Sequence, residues 1–273
     1  MTADVIVVGG GPAGLSAALN VRARGKSALV VSNPLEDHPL WKAARVDNCL
    51  GLPGLSGAEL LSVFRAHAAS AGAEFREGRA LSALSAGGAW YVSVGSDMVQ
   101  GRAVVLAAGA VPQGKKLPGE AELLGRGVSY CATCDGMLYR GKRVAVLGWT
   151  PSAKKEAAFL EEIGCQVLYL DRPRDCAIQG REKVEALVCG GVTEAVEGVF
   201  LLRPAVAPGE LFPGLAAEGG YVTVDRNMAT NLPGVFAAGD CTGKPLQISK
   251  AVGEGLVAGQ RAAAYAASLS AEG

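Results

Sequence analysis

The stretch Asp4-Val5-Ile6-Val7-Val8-Gly9-Gly10-Gly11-Pro12-Ala13-Gly14-Leu15 decides the fold. Asp4 to Val8 is a short apolar run of strand type. Gly9, Gly11 and Gly14 then form GxGxxG. Pro12 suits a first helical turn and Gly25 a stop, so the helix is predicted from Pro12 to about Arg24. Ser27 to Val31 reads as the next strand. Strand, Gly-rich turn, helix and strand together open a parallel sheet. Gly9 permits the tight turn, Gly11 lets the backbone approach a pyrophosphate, and Gly14 allows close helix–strand contact. The helix N-terminus, with Pro12 and Ala13 in its first turn, adds free N–H groups and a positive dipole end. The stretch therefore predicts a dinucleotide site. An acidic residue about 20 positions on would hold a ribose hydroxyl. Ser32 and Asn33 stand there instead, and Glu36 comes late, so the motif alone does not choose between FAD and NAD.

A second unit of the same kind follows. Arg143 to Leu147 reads as a strand, Gly148 to Pro151 as a turn, Ser152 to Ile163 as a helix, and Gln166 to Leu170 as a strand. This is an approximate internal duplication. Val104 to Leu106 leads into Ala107-Ala108-Gly109-Ala110, and Val235 to Ala237 leads into Ala238-Gly239-Asp240. The tail from about Gln247 to Leu269 is Ala-rich and helical. Pro112-Gln113-Gly114 and Pro213-Gly214 are hinge candidates bracketing an insert. The expected fold is α/β: two Rossmann-like, three-layer domains, the second inserted in the first and reduced in size. Residues 1–113 and 214–273 would form the first, and 114–213 the second.

The totals are those of a globular chain: 273 residues, 49% apolar and 19% charged, with 26 basic and 26 acidic residues. Zero formal charge favours neither nucleic acid nor an anionic membrane as partner. No apolar run reaches the roughly 18 residues of a membrane span. Met1 to Gly10 shows no basic secretory region, so a cytoplasmic location is expected.

Cysteine usage carries the chemistry. Of the seven cysteines, only Cys131 and Cys134 have CxxC spacing. That spacing lets two sulfurs close and reopen a small disulfide. Zinc would need four ligands; no second CxxC or CxxH is present, and the histidines are only His38 and His67. A redox pair is therefore expected and a metal is not. Cys49, Cys165, Cys176, Cys189 and Cys241 read as small apolar packing residues. Thiol–disulfide exchange needs an acid for the leaving thiolate. Neither histidine falls near a motif, which leaves Asp135, provided partial burial raises its pKa.

GGGPAG at 9–14, Asp47-Asn48 ahead of Gly51-Leu52-Pro53-Gly54, AAGA at 107–110, CATCDG at 131–136 and GVFAAGD at 234–240 occur in a telling order. Over nearly the whole chain it resembles the low-molecular-weight thioredoxin reductases. The resemblance implies FAD on the first loop, with Ala108, Gly109, Gly239, Asp240 and Ile248 among its contacts. It puts Asn48 and Gln247 near the isoalloxazine. It implies that Cys134 faces the flavin, that Cys131 exchanges with the partner disulfide, and that the protein is a homodimer acting on thioredoxin.

The second unit departs from that pattern. Thr150 replaces the second glycine, and Trp149 adds bulk to the same turn. After the strand, Leu170-Asp171-Arg172-Pro173-Arg174-Asp175 stands where NADPH-using members carry an HRRxxxR-like segment. Asp171 would repel a 2′-phosphate, although it could hold an unphosphorylated ribose. Fewer than 45 residues separate Asp171 from Pro213, too few for the usual set of strands. In this the chain is similar to the ferredoxin-dependent flavin thioredoxin reductases. An acidic ferredoxin would seek a basic patch such as Lys154-Lys155 or Arg140, Lys142 and Arg143. An NAD(P)H-dependent reductase with a degenerate site, a dithiol oxidase and a flavin carrier with idle thiols are the alternatives.

Overall fold

The computed structural model describes residues 1–94, 97–109, 116–130, 132–149, 153–203 and 211–271. The chain folds as two units. The first comprises residues 1–41, 45–111 and 206–273; the second comprises 42–44 and 112–205.

In the first unit β1 (Thr2–Val8), α1 (Pro12–Arg22), β2 (Ala28–Ser32), α2 (Gly57–Ser70) and β3 (Glu74–Glu77) form the opening parallel layer. Helix α1 ends two residues before the predicted Arg24, because Ala23 caps it and Gly25 turns the chain at φ 70°. A meander follows: β4 (Ala80–Ala86), β5 (Ala89–Val94) and β6 (Asp97–Leu106). The sheet runs β3-β2-β1-β6-β5-β4, parallel from β3 to β6 and antiparallel through the meander.

Alternation along β1 explains why both faces are covered. Val5 and Val7 face α1 and the C-terminal helix; Ile6 and Val8 face a second cluster containing Trp90 and Phe212. Trp90 meets Phe212 edge-on at 5.6 Å and donates its indole N–H to the Pro233 carbonyl at 3.0 Å.

The second unit contains β7 (Val128–Ser129), α3 (Ala132–Asp135), β8 (Arg143–Gly148), α4 (Ala153–Glu162), β9 (Gln166–Asp171), β10 (Cys176–Gln179), β11 (Ala186–Cys189), β12 (Val192–Ala195) and β13 (Gly198–Leu202). Its four-stranded sheet runs β7-β13-β8-β9, all parallel. A parallel sheet must be covered on both faces. Helix α4 covers Val144, Val146 and Phe200; on the other face Ala145, Leu147, Val199 and Leu201 pack with Ile178 and Leu187 of the antiparallel β10-β11-β12 sheet. That small sheet does the work of a second helical layer, so this unit keeps its core despite its length.

The chain re-enters the first unit through β14 (Ala217–Glu218), β15 (Tyr221–Val222), β16 (Val235–Ala237) and α5 (Ile248–Ala271). Strand β16 lies parallel to the last residues of β6. The second boundary falls at 205/206 rather than at Pro213-Gly214. The reason is local anchoring. Phe212 is fully buried in the first unit's core, and Asn231 donates to the Gly214 carbonyl and accepts from the Ala216 N–H, both at 2.8 Å. The other hinge candidate, Pro112-Gln113-Gly114, lies outside the described residues.

Candidate functional site

Three turns meet at one end of the first unit's sheet. Val8 of β1 is in register with Leu106 of β6, and Leu106 with Ala237 of β16. The turns that follow, at 9–14, 107–109 and 239–240, are therefore neighbours. Gly9 has φ 118°, and a Cβ there would stand 2.1 Å from the Ala107 carbonyl oxygen. A Cβ on Gly14 would stand 1.9 Å from the Gly9 oxygen, so helix and turn cannot accept a larger residue. Gly11 differs: its backbone is ordinary, and the nearest atoms to an added Cβ belong to one side chain, the His38 ring. Gly109, at φ 70°, has nothing within 4 Å. A glycine turn at a helix N-terminus with no acidic residue in its first turn, beside the open backbone of Gly109, suits a pyrophosphate.

Asp240 sits beside this cradle. Burial pushes its carboxyl up to about 6, against the pull of Lys250 and with the push of Glu254. Lys250 and Glu254, one turn apart on α5, tie the Gly239–Gly243 loop. The Lys250 ammonium donates to the Gly239 and Gly243 carbonyls at 2.9 and 2.8 Å and meets Glu254 at 3.1 Å. Glu254 accepts from the Gly239 N–H and the Thr242 hydroxyl, each at 2.8 Å. An i,i+4 Lys–Glu pair is visible in the tail sequence, but its loop contacts are not.

Asn48 and Gln247, far apart in sequence, come together: the Asn48 amide donates to Gln247 Oε1 at 2.9 Å. Gln247 also opens α5, its carbonyl accepting from the Ala251 N–H at 2.9 Å, with half-buried Ile248 as the helix's first residue. Ala108 is exposed, while Pro12, Ala13 and Gly239 are buried.

In the second unit Cys131 and the side chain of Cys134 lie outside the described residues; the Cys134 backbone belongs to α3. Asp135 ends that helix. Burial raises its pKa, and the Ser129 hydroxyl, donating at 2.7 Å, holds it back. Asp135 in turn helps raise Tyr139, which burial pushes up to about 12. Among the described residues no group of three His, Cys, Asp or Glu could hold a metal ion.

At the second turn, of which residues 150–152 lie outside the described residues, Trp149 has a cationic neighbour. The Arg203 guanidinium lies 4.8 Å over the Trp149 ring. It is also paired with Glu120 at 2.9 Å, the two side chains being 5% and 1% exposed. Tyr130 donates to the same carboxylate at 3.0 Å. At the end of β9 the Tyr169 hydroxyl meets Asp171 at 3.3 Å. Thr150 lies outside the described residues. Nothing in the sequence marks Glu120 as buried, because its partner is 83 positions away.

Cys176 and Cys189 do pack in the second unit's core, but the sequence reading missed their bond: they are directly opposite on β10 and β11 and form a disulfide. Their register, set by the hairpin, was invisible in the cysteine spacing. Cys49, Cys165 and Cys241 are free and buried, and burial pushes the Cys241 thiol up to about 12, which keeps it inert. His38, distant from any motif in sequence, is near one in space: its ring stands against Gly11 of the first turn. The chain between β2 and α2 brings it back, through 3₁₀ turns at Leu35–Asp37 and Pro39–Lys42.

Two dinucleotide-type units, one with an open Gly-rich turn and the other preceded by a CxxC helix, define a flavin-dependent disulfide oxidoreductase. Residues 3–188 and 208–255 match the model of the pyridine nucleotide-disulphide oxidoreductase family. The thioredoxin reductase of Bacillus subtilis is 33% identical over 303 aligned positions, covering 97% of this chain and 95% of that protein. A thioredoxin reductase structure from Streptococcus pyogenes superposes with TM-score 0.86 at 26% identity, covering 98% of this chain and 99% of that one. A ferredoxin-flavin thioredoxin reductase from Clostridium acetobutylicum is 35% identical with TM-score 0.63, covering 99% of each chain. The chain belongs to the pyridine nucleotide-disulphide oxidoreductases and, within them, to the thioredoxin reductase family. FAD is its cofactor.

Proposed function

We propose that this protein reduces the disulfide of thioredoxin with electrons taken from a carrier other than NADPH, a ferredoxin being the best fit. FAD, held at the 9–14, 107–109 and 239–240 turns, supplies a carrier that takes single electrons and delivers pairs. Two electrons and two protons open the Cys131–Cys134 disulfide to a dithiol. The Cys131 thiolate attacks the partner's disulfide, and a mixed disulfide forms as one partner thiolate leaves. Cys134 then attacks Cys131, closing the pair and releasing the partner's second thiolate. Asp135, kept protonated to higher pH by burial, gives a proton to a leaving sulfur.

One observation carries the choice of donor: the Trp149–Arg203–Glu120 stack at the second Gly-rich turn. A nucleotide seated against that cluster would have to displace a buried ion pair, at a cost of several kcal/mol. The shortened stretch after Asp171 points the same way. Lys154 and Lys155 are exposed on α4, and Arg140 and Lys142 are exposed nearby in the chain. Either group offers a basic patch for an acidic partner.

The cytoplasmic setting and the homodimer belong to the same proposal and rest on the family resemblance. No described helix is long and apolar enough to cross a membrane.

The test is anaerobic mixing with flavin absorbance as the readout. Reduced ferredoxin should bleach the flavin within the turnover time, and NADPH or NADH at millimolar concentration should leave it oxidised. Rapid bleaching by either nucleotide overturns the choice of donor. Unchanged thioredoxin turnover after Cys131→Ser overturns the dithiol route.

A further inference from the structure

We propose that His38 is an FAD ligand, donating its Nε2–H to an oxygen of the pyrophosphate at the 9–14 turn. It rests on that turn being the FAD site.

Position comes first. Gly11 is the residue whose missing side chain opens the turn. An added Cβ there would lie 2.5 Å from His38 Nε2, with the next two nearest atoms also in that ring. The imidazole edge thus packs on the side of the turn where Gly11 lacks a side chain. An anion seated at the α1 N-terminus arrives beside that nitrogen.

The ring is held in place and in one tautomer. The His38 N–H donates to the Leu35 carbonyl at 3.0 Å, and its carbonyl accepts from the Trp41 N–H at 2.9 Å. Its Nδ1 accepts from the Leu40 N–H at 3.1 Å. A neutral imidazole with Nδ1 accepting carries its proton on Nε2. No described residue partners that Nε2–H. Burial holds the ring neutral, pulling it down to about 4, so the donor persists across the working pH range. A fixed, half-buried donor with no acceptor among the described residues, set against a phosphate cradle, is a ligand position.

At the end of β2 this chain carries Ser32 and Asn33; the Ser32 hydroxyl lies against Gly10 and the His38 ring against Gly11. The class of ligand is therefore a diphosphate ester, gripped by backbone N–H groups on one side and a neutral donor on the other.

Nitrogen-15 NMR of the histidines tests this directly, since the chain has only two. The wild-type full chain should show a protonated Nε2 for His38, and that resonance should shift on adding FAD while His67 stays put. His38→Phe, which keeps the ring and loses the donor, should weaken FAD binding about 10-fold or more and move the phosphorus-31 resonances of bound FAD. His38→Gln should stay within a few-fold of wild type. Proton placement on Nδ1, an FAD-insensitive Nε2, or wild-type affinity in His38→Phe each overturns the proposal. Gly11→Ala separates it from the reading it rests on, since φ −83° at Gly11 accepts an alanine. If Gly11→Ala in a His38→Ala background binds FAD as well as His38→Ala alone, the turn is not the FAD site. If it loses FAD while His38→Phe does not, only the role of His38 fails.

Discussion

Asp240→Asn should make the FAD-free protein more stable at neutral pH while weakening its hold on FAD. The Asp240 carboxyl is lifted from an ordinary 3.8 to about 6, first by burial, with Lys250 opposing and Glu254 reinforcing. A folded-state pKa above the unfolded one means that folding disfavours the charged form. The cost is absent below about pH 4, grows between pH 4 and 6, and is complete above pH 6. At about 1.36 kcal/mol for each pH unit of displacement, it reaches ~3 kcal/mol at most. Asparagine keeps the shape and removes the charge. Lys250 keeps its Gly239, Gly243 and Glu254 partners, so no new unpaired charge is created. Urea unfolding of the FAD-free full chain at pH 4.0 and 7.5 reads the effect. The two units should be fitted as separate transitions. The variant should gain about 1–3 kcal/mol in the first unit's transition at pH 7.5 and almost nothing at pH 4.0. An equal gain at both pH values, or a loss at 7.5, would refute a desolvated carboxylate. A group kept at such a cost is the kind that functional sites retain, which fits the proposed role of Asp240 beside FAD.

Other outcomes follow from the second unit. Glu120→Gln leaves the Arg203 guanidinium buried beside a neutral amide, and should cost roughly 3–5 kcal/mol in that unit's urea transition. Replacing Cys176 and Cys189 together by serine removes a bridge closing 13 residues. That should lower the same transition by roughly 2–4 kcal/mol and leave flavin content unchanged. Ser129→Ala deletes the hydroxyl that favours ionised Asp135, so its carboxyl stays protonated to higher pH. The alkaline limb of disulfide turnover should move up; a move down, or none, would remove Asp135 as the acid.

What could be read from the sequence was local. GxGxxG between Val8 and Leu15 marks the first turn because all its determinants lie within one turn of α1. The strands at 143–148 and 235–237 are apolar runs closed by small residues, so their bounds follow from composition. The helix at 248–271 was legible because alanine dominates it. What was hidden depends on register or on distant partners. Cys176 and Cys189 pair because β10 and β11 form a hairpin in one register, and a slip of one residue would turn the two sulfurs to opposite faces. Glu120 is silent until folding brings Arg203 and Tyr130 to it. His38 follows β2 by six positions on irregular chain, where no periodicity says which way a side chain turns.

The two units show how one turn design diverges. Each begins with a strand, a glycine and a helix: Gly9 ahead of α1, Gly148 ahead of α4. In the first, Gly11 leaves the helix N-terminus bare and only a polar ring edge stands before it. In the second, the residue after Gly148 is a tryptophan whose ring is clamped by Arg203, itself neutralised by Glu120. An arginine facing an empty phosphate site would be a standing attraction for any nucleotide. Paired with a buried carboxylate, it offers an incoming phosphate little net charge and presents a packed face instead. On the proposed reading, closing a nucleotide site takes more than a missing glycine: the cation is also given an internal partner. Glu120→Gln, by freeing Arg203, is then the single change most apt to restore measurable nucleotide affinity to the second turn. Equilibrium dialysis with NADPH checks this, and no gain over wild type would show that Trp149 alone is enough to close the turn.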